Sequence, residues 1–327
     1  MSNLITNQQC LRILFLGTPE FAASYLEFLL EKGYNVVAVI SQADKPRGRG
    51  QKLLPTPVKE VAIRHNIPVF QPKSLKKEGM EIIEKHQPDI GIVVAYGRLL
   101  RRPFLDVIPF YNVHTSLLPK YRGAAPMQRS LEAGEKVTGV TIFKISEGMD
   151  DGDIAMQRAF EVEECETFGE LYEKMIKHGT ELLDEFLKSY PVPLIQQDHS
   201  QATYAAKIEK EDFYVDFSQS AEAVRNKIRA YDPVPGAKAI LNTFEVKLFG
   251  ACEVENIDDE KLINTLPGTI ISIDKIKGAL VRCKDRGVWI KYVQFPGKNR
   301  VEFYAAKNGG LLREGAVLNS FSNIFSS

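Results

Sequence analysis

Three polar side chains in the middle of this sequence could do chemistry together. Asn112 and His114 stand one residue apart in Tyr111-Asn112-Val113-His114, and Asp150 lies in Gly148-Met149-Asp150-Asp151-Gly152-Asp153. In an extended segment, side chains at i and i+2 share a face, so the amide and the imidazole point the same way. An asparagine N–H can donate to a developing oxyanion. A histidine moves protons at neutral pH. A carboxylate brought to that ring by a glycine-bounded loop would fix its tautomer and favour the protonated form. Amide, imidazole and carboxylate are the groups that acyl transfer to an amine requires. The plain alternative is a satisfied buried histidine and a turn aspartate, and spacing alone does not choose between the two. Ser116 as a nucleophile ranks below the Asn–His–Asp set. It has no G-x-S-x-G elbow.

The elements that must position these residues are legible. Leu11–Leu16 is a short apolar run, read as a buried strand, that stops at Gly17-Thr18-Pro19. Thr18 is expected to cap the next helix with Pro19 at its first position, and Gly33 to end it. Asn35–Ile40 reads as a second buried strand, which completes a βαβ unit and points to a parallel, helix-covered sheet. Strands are also expected at Ile67–Phe70, Ile90–Ala95, Tyr111–His114, Val140–Lys144 and Ile154–Val162. Helices are expected at Gly79–Lys85 and Thr167–Lys188, the latter with a Thr167/Glu170 capping box. From Pro191-Val192-Pro193 the composition turns polar, which marks a linker over 191–206 between a catalytic domain (1–190) and a C-terminal domain (207–327). That last part opens on a short helix at Ala221–Ala230. It continues in short β-rich runs separated by turns, as in a small barrel with Trp289 in its core.

Bulk composition narrows the function. A chain of 327 residues is expected to split into two domains. Lys plus Arg equals Asp plus Glu, 42 each, so any surface for nucleic acid must be local. Cys10, Cys165, Cys252 and Cys283 are far apart without a CxxC pair. Zinc and dithiol chemistry are therefore not expected, and a reduced cytosolic compartment fits better than a disulfide framework. The first ten residues lack the apolar core of a signal peptide, and no apolar run is long enough to span a bilayer. The histidines outside the central set, His65, His86, His178 and His199, are not clustered, so no metal is expected. Gly17-Thr18-Pro19-Glu20-Phe21 matches neither the dinucleotide nor the P-loop fingerprint and reads as a strand–helix turn.

One local basic feature stands out. Asp44-Lys45-Pro46-Arg47-Gly48-Arg49-Gly50-Gln51-Lys52 carries the cations Lys45, Arg47, Arg49 and Lys52 against one acid. Its glycines and proline are expected to keep it out of regular structure. It follows the second strand, at the carboxyl end of the sheet, where open α/β sheets bind ligands. It reads either as a loop that engages phosphates or as a solvated surface loop, the commoner fate of charge runs.

Taken as a set, these segments resemble the folate-dependent formyltransferase family. The set is Asn112-x-His114, Ser116-Leu117-Leu118-Pro119-x-Tyr121-Arg122-Gly123, Thr138-Gly139-Val140-Thr141 and Asp150-x-Gly152-Asp153. Any one of them alone would be weak. Gly17–Phe21, the loop from Arg47 to Lys59 and Gly123-Ala124-Ala125-Pro126-Met127-Gln128-Arg129 are similar to members that act on an aminoacyl-tRNA. So are Ala202–Ile208 and Ile228–Pro233, and the resemblance covers nearly the whole chain beyond its first ten residues.

The resemblance implies an α/β fold: a doubly wound, mostly parallel, Rossmann-like domain followed by a small OB-fold-like β-barrel. It implies 10-formyltetrahydrofolate as donor and the amino group of methionyl initiator tRNA as acceptor, in translation initiation. Asn112, His114 and Asp150 would be catalytic. Ser116, Leu117, Leu118 and Pro119, with Tyr96 and Gly97, would bind folate. Arg47, Arg49, Lys52, Lys207 and Arg229 would bind tRNA. Arg98 stands where members often have an aliphatic residue. The enzyme is expected to be a cytoplasmic monomer without a metal or a membrane partner. The competing readings are formyl transfer to a nucleotide-linked amino sugar, hydrolysis of the formyl folate, and RNA binding by the barrel without catalysis.

Overall fold

A computed structural model describes residues 11–47 and 52–320. The chain begins β1 (Ile13–Gly17), α1 (Glu20–Glu31), β2 (Val36–Ile40), β3 (Lys45–Arg47), β4 (Lys52–Leu54), α2 (Pro57–Arg64), β5 (Val69–Phe70), α3 (Met80–His86) and β6 (Ile90–Val94). Next come β7 (Phe110–His114), β8 (Arg122–Gly123), α4 (Pro126–Glu132), β9 (Val137–Lys144), β10 (Ile154–Glu161), α5 (Phe168–Ser189) and β11 (Tyr204–Ala205). The last part runs α6 (Ala221–Arg229), β12 (Ala237–Leu241), β13 (Phe244–Glu255), α7 (Asp259–Asn264), β14 (Ile270–Asp274), β15 (Gly278–Arg282), β16 (Gly287–Gln294), β17 (Val301–Glu302), α8 (Phe303–Asn308) and β18 (Leu318–Asn319). None of the helices among the described residues is long and apolar enough to cross a membrane.

Two compact units divide these elements. The first takes the chain through Gly123 with Gly139–Ala159 and Lys174–Tyr204; the second takes Ala124–Thr138, Phe160–Glu173 and everything from Ala205. The first holds a seven-stranded sheet in the order β10-β9-β7-β6-β1-β2-β5. Its centre is parallel, with β1 between β2 and β6, and β7 beside β6; β9 runs antiparallel to β7. Every residue of β1 and β6 is buried, as helix-covered parallel strands require. The chain moves outward from β1 through β2 to β5, then crosses back to β6 on the other side of β1. The carboxyl ends around that reversal are where such sheets bind ligands, and Asn112 and His114 end the strand beside β6.

The second unit carries the sheet β14-β15-β16-β13-β12-β18, with β17 paired to β16. The two ends meet: Leu318 N–H donates to the Gly268 carbonyl and Ile270 N–H to that of Ala316, 2.8 Å each, which closes the sheet toward a barrel. Trp289 packs with Ile257 and Leu280, and its indole N–H donates to Glu255.

The α/β-then-β architecture is as the sequence led us to expect, and four details differ. Thr18 does not cap α1; its hydroxyl donates to the Tyr96 carbonyl, and Pro19 occupies the cap position. The basic segment is not irregular in its limbs, because β3 and β4 pair antiparallel, with Pro46 opposite Leu53. A two-stranded ribbon tolerates a proline that a central strand would not. The compact units ignore the composition-based boundary. Residues 191–204 belong to the first unit, where Ile195 exchanges both backbone hydrogen bonds with Ile154. Residues 124–138 and 160–173 belong to the second, where Arg229 ties α6 to the 163–166 turn.

The fourth difference is covalent. Cys165 and Cys252 form a disulfide, with Cα atoms 4.9 Å apart and a sequence separation of 87. Both lie in the second unit, and the bridge fastens the 160–173 segment to β13. Cys283 is the free cysteine among the described residues, its thiol pushed up to about 12 by burial, which leaves it unreactive. Cys10 lies outside the described residues. Closing so long a loop restricts the unfolded chain, so reduction or Cys165→Ser is expected to lower the unfolding free energy by about 2–4 kcal/mol. Denaturant titration with and without dithiothreitol measures this; identical midpoints would mean that the bond does not form in solution.

Candidate active site

β7 delivers Asn112 and His114 to the carboxyl end of the first sheet. Val93 of β6 and Phe143 of β9 flank Asn112, and Thr141 pairs with His114. Asn112 is half-buried, and among the described residues its side-chain amide is engaged in no hydrogen bond. A half-buried amide with spare donors is suited to receive charge as it develops on a neighbouring oxygen.

His114 is only 5% exposed. Its Nε2 lies 2.9 Å from the Tyr121 carbonyl oxygen, which can only accept, so Nε2 carries the ring proton in the neutral tautomer. Nδ1 then carries no proton, and it lies 3.7 Å from Oδ2 of Asp150, too far for a hydrogen bond but within ion-pair range. The edge of Phe143 packs against the imidazole. Asp150 Oδ2 also accepts from the Gly123 N–H at 2.8 Å. The segment Tyr121-Arg122-Gly123 therefore touches both partners of the pair.

The Asp150 loop has little freedom. Asp150 adopts φ +50°, in the left-handed region. A Cβ at Gly152 would fall on the Lys144 carbonyl, so the loop packs this close to β9 only with glycine there.

The Ser116–Pro119 turn is held from behind by Thr141 and Gln157. The Leu118 N–H donates to Thr141 Oγ1, which donates to the Ser116 carbonyl; Gln157 Nε2 donates to the Leu118 carbonyl at 2.8 Å. Ser116 is fully buried, and its hydroxyl donates to the Lys120 carbonyl at 2.6 Å, so it braces the turn and is not a nucleophile. Leu117 and Pro119 remain partly exposed.

Tyr96 and Gly97 follow β6. The Tyr96 ring is in the core, 2% exposed, so this residue offers a ligand little but backbone. Its carbonyl accepts from Thr18 and from Gln42 Nε2. Gly97 has φ +77°, and a Cβ there would meet Gln42. Arg98 donates to the carbonyls of Pro72 and Lys73 and lies close to the Tyr96 hydroxyl.

The proposed RNA-binding cations fall into three groups. Arg47 and Lys52 are opposite each other in the β3–β4 ribbon, and Arg49 lies outside the described residues. The base of that ribbon is fixed. Ser41 and Thr56 hydroxyls meet at 2.6 Å, and Lys59 Nζ lies 2.6 Å from Asp44. Burial would raise the Asp44 pKa, but hydrogen bonds from Lys59 and Gln71 outweigh it and hold the carboxyl below its ordinary value. Lys207 is exposed, with Glu209 at 3.6 Å, and its backbone is held by Arg129, whose guanidinium donates to the carbonyls of Ala206 and Lys207. Arg129 is itself locked by Glu132 and Asp212. Sequence reading gave Arg129 no role, although it stands in the Gly123–Arg129 motif.

Arg229 is a correction. It is 3% exposed and donates to Asn226 and to the carbonyls of Glu163 and Glu166. Burial pulls its guanidinium down to about 10. It is an internal brace without access to RNA. Among the described residues no cluster of His, Cys, Asp and Glu could hold a metal ion.

Residues 11–187 match the formyl transferase family, and 207–310 its C-terminal domain. The chain is 69% identical to the methionyl-tRNA formyltransferase of Fervidobacterium nodosum, with 95% of this chain and 99% of that one covered. It is 50% identical to the enzyme of the same name from Thermotoga maritima, over 93% and 97% of the two chains. Among solved structures, the N-formyltransferase from Helicobacter canadensis in complex with folinic acid and dTDP-3-aminofucose shares the fold. Its TM-score is 0.63 at 20% identity, with 86% of this chain and 98% of that one covered. The methionyl-tRNA formyltransferase from Clostridium thermocellum gives 0.55 at 16% identity, covering 74% and 93%.

Proposed function

The chain belongs to the formyl transferase family, among its methionyl-tRNA formyltransferases, and from that premise we propose how its own residues carry the transfer. The donor is a formyl-bearing tetrahydrofolate, read here as the 10-formyl form, and the acceptor is the free amino group of methionyl initiator tRNA. The observation that carries this reading is the meeting of Asn112, His114 and Asp150 at the carboxyl end of one strand. The two sequence relatives named above, at 69% and 50% identity, are methionyl-tRNA formyltransferases, which supports a tRNA acceptor over a nucleotide-linked amino sugar or water.

The neutral amine attacks the formyl carbon. The new C–N bond forms as the carbonyl electron pair moves onto oxygen, and the Asn112 amide donates to that oxygen. The amine nitrogen sheds a proton, N10 of the folate gains one, and the C–N10 bond breaks. His114 handles the proton through Nδ1, the ring nitrogen that faces the Asp150 carboxylate. The 116–119 turn, with the backbone at 96–97, cradles the folate. Lys207 and the β3–β4 ribbon engage phosphates of the acceptor. The enzyme works as a cytoplasmic monomer.

A phosphate contact has a measurable signature. Lys207→Ala is expected to raise the KM for tRNA several-fold, to leave kcat near wild type, and to make the slope of log KM against log salt shallower by about one phosphate contact. Steady-state kinetics across a salt series measure this. An unchanged slope would remove Lys207 from the interface.

A further inference from the structure

One residue of the polar 191–206 stretch stands out by its burial. Gln197 is 3% exposed, while Gln196 and Asp198 beside it are exposed. Its position follows from strand register. Ile195 and Ile154 exchange both hydrogen bonds as an antiparallel pair, which sets residue 197 opposite residue 152. From there the amide reaches two groups at once. Its Nε2 donates to the carbonyls of Asp150 and Gly152 at 2.9 and 2.6 Å. Its Oε1 accepts from Nε and Nη2 of Arg122 at 3.2 and 2.7 Å. Every hydrogen bond an amide side chain can make is used.

Both groups lead to the catalytic pair. Arg122, 4% exposed, sits between Tyr121, whose carbonyl holds His114, and Gly123, whose N–H holds Asp150. Asp150 has the left-handed backbone that a non-glycine residue keeps only where its surroundings over-determine it. We propose that Gln197 is a positioning residue for formyl transfer. By gripping the Asp150 loop with one end of its amide and Arg122 with the other, it sets where the Asp150 carboxylate stands against the His114 ring. The proposal rests on the reading that His114 and Asp150 act in the transfer.

Gln197→Glu separates positioning from simple structural support. The glutamate keeps both acceptor bonds from Arg122 and adds a charge for it, so that side of the contact is kept. It cannot donate to the Asp150 and Gly152 carbonyls and repels them. Displacing a catalytic group by about an ångström costs up to ~100-fold in rate. Gln197→Glu is therefore expected to lower kcat by roughly 30- to 100-fold. The KM values for formyl folate and tRNA should stay within about twofold, and the melting temperature near wild type. Gln197→Met, which removes both grips, should lose as much kcat and some stability besides. If it does not fold, Gln197→Glu decides alone. An active wild type with Gln197→Glu turning over at a near-normal rate overturns the proposal by itself. So does a loss that follows melting temperature, with Gln197→Glu as healthy as wild type. A wild type without any formyl transfer overturns the underlying reading and the proposal with it.

Discussion

Asn112→Ala is expected to lower kcat by about 100- to 1,000-fold, or roughly 3–4 kcal/mol of transition-state stabilisation, with the KM for the folate donor within about twofold. The expectation follows from what surrounds the side chain. Its amide has no hydrogen-bond partner among the described residues, so truncation breaks no brace and leaves no orphaned donor behind. β7 is held by its strand partners on either side and should keep its place. What is lost is a donor needed only once negative charge develops, and a loss of that kind appears in kcat rather than in substrate binding. Steady-state kinetics with both substrates varied provide the check. A fall in affinity for both substrates at unchanged kcat would make Asn112 a binding residue.

The second large effect belongs to His114 and Asp150 together. Proton transfer by a positioned side chain is worth about 100- to 10,000-fold, so His114→Ala should cost within that range. Asp150→Ala should cost less than His114→Ala, because the ring remains in place through its bond to the Tyr121 carbonyl. The double variant should be about as slow as His114→Ala alone, since the carboxylate acts through a ring that is no longer there. Rates that multiplied instead would mean that the two residues contribute separately.

How much of this could be read in the sequence depended on the distance over which each feature is encoded. β1, β2 and β6 are continuous apolar runs, so the parallel centre of the sheet was legible, as was the shared face of Asn112 and His114. The capping box at Thr167 and Glu170 is local and is present. Features that depend on pairing between distant segments were not legible. The β3–β4 ribbon needs Lys45 opposite Leu54. The disulfide needs two cysteines 87 residues apart to meet. Gln197 looked like one more polar residue in a linker, because its burial depends on the register of Ile195 against Ile154. Arg229, which the resemblance assigns to the tRNA, is buried instead, because the turn it braces at Glu163–Glu166 comes from a distant segment. The approach of Asp150 to His114 also depends on distant segments: the loop reaches the ring through Gly152 packed on Lys144 and through the grip of Gln197.

The measurement that tests the central claim most directly is a comparison of acceptors. The wild-type protein is incubated with 10-formyltetrahydrofolate and, in parallel, with methionyl initiator tRNA, with a dTDP-linked amino sugar, or with water alone, and the formylated product and free formate are followed by mass spectrometry. Rapid N-formylation of the methionyl-tRNA, with little product on the sugar and little formate, is the predicted result. Formyl transfer to the sugar at a comparable kcat/KM, or release of formate regardless of acceptor, would contradict it.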